Sequence, residues 1–197
     1  MIQSKALEVN LATSKVDVSI DPKYHVLQEV MSGYYGLLES LDIFLKELSH
    51  PFRNWQFIIK EARSYSLNHF HLLKSHNQGP EAAERYVGIF IDAIHATHDR
   101  SVKTDAVDNL LLLLQKIIKE TGTDIPRFMP LLDSTFDRIH QLGEKDFLLF
   151  LRSYYQIKRL AELMASNQSL SGQNIKPYPN REAAKSAEID MDRGKRR

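Results

Sequence analysis

Cysteine is absent from the 197 residues. That excludes disulfides, thiolate metal sites and a cysteine nucleophile, and it sets the expectation of a reducing, cytoplasmic setting. An excess of one charge is also lacking. Lys and Arg number 26 against 25 Asp and Glu, so the formal charge is +1, and nothing draws the chain generally to nucleic acid or an acidic membrane. The longest apolar runs, residues 110–114 and 147–151, fall well short of the ~20 residues of a spanning helix. The N-terminal MIQSKALEVNLATSKVDVSI has no apolar core of the about 7–15 residues found in a signal peptide. No phosphate-cradling glycine loop, G-x-S-x-G or H-E-x-x-H occurs, so an independent enzyme is disfavoured. No catalytic, cofactor-binding or metal-binding residue is assigned, and no cofactor is expected.

What is present is helical. Apolar residues make up 43% and charged residues 26%, the balance of an ordinary globular chain, and the length makes one domain the default. In DAVDNLLLLLQKIIKE, residues 105–120, a helical projection gathers Ala106, Val107, Leu110, Leu111, Leu113, Leu114, Ile117 and Ile118 on an arc of about 160°. Leu112 falls alone among Asp108, Gln115, Lys116 and Lys119. So broad an arc predicts a central helix over 104–121 gripped by several neighbours.

Residues 1–20 alternate weakly, as a pair of short strands or an extended arm would, and the arm is preferred because a lone two-stranded ribbon is marginal in water. Asp21-Pro22 is an N-cap and first turn, opening a helix expected to reach about His50 through Leu27, Val30, Met31, Tyr34, Leu37, Leu38, Leu41, Phe44, Leu45 and Leu48. Gly33 and Gly36 lie inside it, and close approach of a neighbouring backbone is the expected reason for one of them. Asn54 caps a helix to about Ser75, and Pro80 opens one whose stripe is Tyr86, Val87, Phe90, Ile91 and Ile94. Ser101 or Thr104 caps the central helix, and Gly122 stops it. Asp124 caps a fifth helix, expected as a short first turn and then a restarted helix from about Pro130 to Leu142, closed by Gly143. A sixth helix over 144–165 buries Phe147, Phe150, Leu151, Tyr154, Ile157 and Ala161. Residues 166–197 are polar and read as a disordered tail or linker. The expectation is thus an all-α bundle of about six helices over 21–165.

Three carboxylate-x-x-His spacings occur, Glu47/His50, Asp92/His95 and Asp137/His140. Di-iron bundles use this spacing in mid-helix, whereas the first and last pairs here border Pro51 and Gly143. A metal- or small-ligand-binding bundle using His50, His95 or His140 is kept as the alternative. His69 and His71 point to different faces of a helix, and His95 and His98 fit a solvated helix end. Ser64, Ser66 and His69 lie close in sequence without an orienting acid. Tyr34-Tyr35 and Tyr154-Tyr155 could stack bases only beside a basic groove, and only Arg152, Lys158 and Arg159 come near to one. Packing is the preferred reading, and nucleic acid is disfavoured as a partner.

The runs SHPFRNWQFIIKEARSYSLNHFHLLKSHNQGPEAAERYVGIFIDAI, DAVDNLLLLLQKII and FLLFLRSYYQIKRLAELM resemble the helical N-terminal region ahead of the catalytic domains in some bacterial pyruvate-phosphate dikinase and phosphoenolpyruvate-synthase-like proteins. The resemblance covers about residues 22–165 and lies in the words HPFRNW, NQGPEAA and RSYYQI. It implies an accessory domain whose ATP-grasp and phosphohistidine parts are supplied elsewhere. None of the family's catalytic residues can be carried over, because none of its catalytic motifs is here. The expected function is a non-catalytic interaction or regulatory domain with a protein partner, a homo-oligomer being compatible and a membrane not.

Overall fold

The computed structural model describes residues 19–33, 36 and 38–171, without the side chains of 144, 152 and 167–171. The expected arm, Tyr34-Tyr35 and the chain beyond 171 therefore lie almost wholly outside the described residues. The fold is all-α, with no strand among the described residues. Its helices are α1 His25–Met31, α2 Leu38–Ser49, α3 Trp55–Arg63, α4 Phe70–Ser75, α5 Gly79–Ala96, α6 Arg100–Glu120, α7 Ile125–His140 and α8 Glu144–Ser171. The chain divides into two compact units, Met1–Leu113 and Leu114–Arg197, and α6 runs through the division.

In the first unit α1, α3 and α4 converge on α5. The reason lies in the composition of α5. Besides the expected stripe of Tyr86, Val87, Phe90, Ile91 and Ile94, it buries Ala82, Ala83, Ile89 and Ala93, and the small residues let neighbouring helices approach on a wider arc. Gly79, its first residue, lies against the end of α4. A Cβ there would overlap the carbonyl oxygen of Leu73 and stand 2.7 Å from the carbonyl carbon. The close backbone approach expected at Gly33 or Gly36 therefore belongs to Gly79 as far as the structure describes them. A Cβ on Gly33 would meet its nearest atoms at an ordinary 3.9 Å.

Two long helices expected in this unit are interrupted. The helix read from Asp21 to His50 stops at Met31 and resumes at Leu38. Gly33 and Gly36 each remove about 1 kcal/mol of helical preference, which favours an end to α1 there. Leu38, read as a buried position, is 43% exposed. The helix read from Asn54 to Ser75 contains a π turn, Ser64–Asn68. The turn adds a residue to the register, so that Tyr65 and Ser66 within it face inward and Phe70 and Leu73 still do so after it. Two of the expected caps form: Asp21 accepts from the Lys23 N–H at 3.0 Å, and Asn54 from the Phe57 N–H at 3.2 Å, whereas Asp124 precedes α7 without a side-chain capping bond.

Two partner-free hydroxyls lie in this core. The Tyr86 oxygen and the Ser66 oxygen are buried with no hydrogen bond, whereas Tyr65 donates to Ser40 at 2.9 Å. Burial first, and the nearby Tyr65 second, push the Tyr86 phenol well above its ordinary range, so it stays neutral. A buried hydroxyl without a partner costs about 1–3 kcal/mol. Tyr86→Phe is therefore expected to leave urea stability unchanged or to raise it by about 1 kcal/mol. A loss of that size would mean that the hydroxyl is bonded in solution.

α6 begins earlier than expected and on a different cap. Asp99, rather than Ser101 or Thr104, accepts from the Ser101 N–H at 2.8 Å, and the Thr104 hydroxyl turns back to the Arg100 carbonyl at 2.9 Å. All eight residues of the projected arc are buried, and Leu112 is 44% exposed. Asn109, which the projection left out, is buried as well. Gly122 follows in the left-handed region, with φ 56°.

In the second unit α7 packs on α8. α7 does not restart at Pro130 but runs through it. Pro130 and Pro126 are exposed, so the one ladder bond lost at the Pro126 carbonyl can be replaced by solvent. Gly143, expected to close α7, lies beyond the end of that helix at His140. Its carbonyl accepts from the Asp146 and Phe147 N–H groups, both at 2.9 Å, and so begins α8. That helix continues six residues past the expected end at Ala165, to Ser171. Phe136, Phe147 and Tyr154 make edge-on contacts, with centroids 5.8 Å apart for Phe136–Tyr154 and 5.6 Å for Phe147–Tyr154.

Candidate interaction surface

The histidines do not converge. Glu47 and His50 are occupied in closing the turn between α2 and α3. The Glu47 carboxylate accepts from the Asn54 N–H at 2.6 Å, and the His50 Nδ1 accepts from the Phe52 N–H at 3.0 Å. Asp92, His95 and His98 are exposed around the end of α5. Asp137 and His140 are exposed on the last turn of α7, where the His140 ring meets Phe147 edge-on at 5.5 Å. Among the described residues no three His, Asp or Glu side chains gather as a cation would need.

Ser64, Ser66 and His69 fall on and just after the π turn, with Ser66 buried and His69 half-buried. His69 and His71, placed on different faces by sequence, have ring centroids 6.2 Å apart. Burial, with the His71 charge second, holds the His69 pKa below its ordinary value. A histidine that binds a proton less readily folded than unfolded loses stability as pH falls through about 6.5. Two-dimensional NMR titration is expected to put His69 below 6.5. His71→Gln should raise it only partway, because burial is the larger cause. A return to the full unperturbed value would assign the shift to His71.

The distinctive surface is on α8. Tyr154 is buried, but its neighbour Tyr155 is 59% exposed, so the pair does not form a double platform. Leu151, read as buried, is 42% exposed, and Leu148 and Leu163 are 56% and 51% exposed. On the helix, Leu148, Leu151, Tyr155 and Leu163 share an arc of about 120° and a length of about 22 Å. It lies opposite the arc of Phe150, Tyr154, Ile157 and Ala161, which is buried. Exposed Lys145 and half-buried Lys158 stand at the two edges of the arc, and exposed Arg159 lies within it, between Leu148 and Leu163 in projection. Lys158 Nζ stands 5.9 Å from the Tyr154 ring centroid. Glu162 is the one exposed anion on this arc among the residues whose side chains are described. Four large apolar side chains kept in water along one helix face mark a contact surface more specifically than isolated exposed leucines do.

Sequence reasoning missed this face because FLLFL, residues 147–151, is apolar on every side of a helix. A run that covers all faces carries no phase. Comparison of the chain with family models, curated proteins and solved structures finds no match. No helix among the described residues is long and apolar enough to cross a membrane.

Proposed function

We propose that the chain is a non-catalytic helical interaction or regulatory domain that acts by binding another protein. The observation that carries the reading is the uncovered arc of Leu148, Leu151, Tyr155 and Leu163 on α8. The inward face of the helix is already supplied by Phe150, Tyr154 and Ile157, and these four side chains, each 42–59% exposed, cost solubility unless something covers them. The words HPFRNW, NQGPEAA and RSYYQI supply a partner class: a catalytic protein or domain that handles phosphoenolpyruvate or pyruvate. Affinity purification from the native host with mass spectrometry tests the pairing, and the expected result is stoichiometric recovery of such a protein. Incubation of the purified chain with ATP, pyruvate or phosphoenolpyruvate is expected to give no turnover. Turnover by the chain alone would end the reading.

A further inference from the structure

We infer that the outward arc of α8 receives an amphipathic helix with acidic flanks, contributed by a protein partner. The inference rests on the interaction reading above and adds the chemistry of the occupant. Leu148, Leu151 and Tyr155 stand at i, i+3 and i+7, the spacing at which one helix anchors along another. Lys145, Lys158 and Arg159 set three cations against Glu162 along this arc. An apolar strip edged and interrupted by a cationic excess selects a partner that sets carboxylates beside its own apolar residues.

The same charges disfavour the other occupants. A second copy laid on this face would oppose cation to cation, and like charges juxtaposed across an interface cost binding. A bilayer would have to take up Glu162, which lies within the apolar arc between Leu151 and Tyr155 in projection. A carboxylate facing acyl chains is unpaired, whereas in a protein interface it can meet a lysine or arginine. A single strand of nucleic acid would find one exposed ring, Tyr155, where successive bases need successive platforms.

The test uses the full chain and a fluorescein-labelled peptide of about 18 residues, leucine at i, i+3, i+4 and i+7 with glutamate flanks. An otherwise identical peptide with lysine flanks is the control. The glutamate peptide is expected to bind saturably by anisotropy, to weaken with added salt, and to lose about tenfold or more in affinity with Leu151→Glu or Tyr155→Glu. Both sites are exposed, and thermal melts of the variants confirm folding. Leu112→Glu, on an exposed leucine of α6, should leave binding unchanged. Equal binding of the two peptides, or binding indifferent to Leu151→Glu, overturns the inference. So does a wild-type dimer in light scattering that Leu151→Glu dissolves, or saturable binding to phosphatidylserine vesicles or to single-stranded DNA that Leu151→Glu abolishes. If the host protein recovered with the wild type is retained by Leu151→Glu, the interaction reading stands and this assignment of its surface falls.

Discussion

Gly79→Ala is expected to destabilise the protein by about 3 kcal/mol, lowering the melting temperature by about 6–12 °C. The added methyl would coincide with the Leu73 carbonyl oxygen and stand 3.4 Å from the Leu73 Cα. The obstacle is backbone at the end of α4, so no rotamer change relieves it. Alanine would bring a gain of about 1 kcal/mol in helix preference and somewhat less from a stiffer unfolded chain. Neither offsets the displacement of α5 from α4 that the methyl requires. Two other glycines serve as controls. Gly33→Ala has room and is expected to be neutral or slightly stabilising. Gly122→Ala has open space around it but a φ of 56°, and should cost about 1–2 kcal/mol through backbone strain alone. Urea or thermal unfolding of the three variants separates steric overlap from strain. A Gly79→Ala protein that melts with the wild type would mean that the two helices are not held at this distance.

Gly79 also shows what kind of information the sequence carried. The word NQGPEAA is the α4–α5 junction: the Gln78 N–H donates to His76 Nδ1 at 3.2 Å, and the glycine is required by contact with Leu73. HPFRNW is the α2–α3 turn, fixed by Glu47 and His50 and by Arg53 over the Trp55 ring at 5.3 Å. These words follow from local backbone geometry, which is why the caps at Asp21 and Asn54 were legible. What was not legible depends on distant residues. The π turn at Ser64–Asn68 changes the period within a run whose inward residues are apolar before and after it. The passage of α7 through Pro130 depends on solvent exposure of one turn, which no pattern encodes. The Asp99 cap was missed because Ser101 and Thr104 are equally good cap residues two and five positions later. On α8 the sequence located the helix and its buried Phe150 and Tyr154, but the apolar run hid which leucines are left over, and those leftover residues are the candidate site.

The sharpest use of one helix as its own control is on α6. Leu110→Glu and Leu114→Glu are each expected to cost more than about 4 kcal/mol, most of the margin of a typical domain. Both side chains are 0% exposed, and no cation is on the buried arc, so the carboxylate would be desolvated and unpaired. It would respond by protonating or by opening the structure. Leu112→Glu places the same group two residues from each on a side chain that is 44% exposed. There the carboxylate keeps its water and stands one turn before Lys116, a spacing worth a few tenths of a kcal/mol at most. Lys116 already reaches Glu120 at 3.0 Å, so even that gain is shared. Soluble yield and circular dichroism melts of the three variants read the contrast directly. Leu110 belongs to the first unit and Leu114 to the second, so loss at both positions would show that the helix is structural on either side of the division. Equal damage from Leu112→Glu would instead mean that α6 is enclosed on every face, and the polar side deduced from Asp108, Gln115, Lys116 and Lys119 would have to be given up.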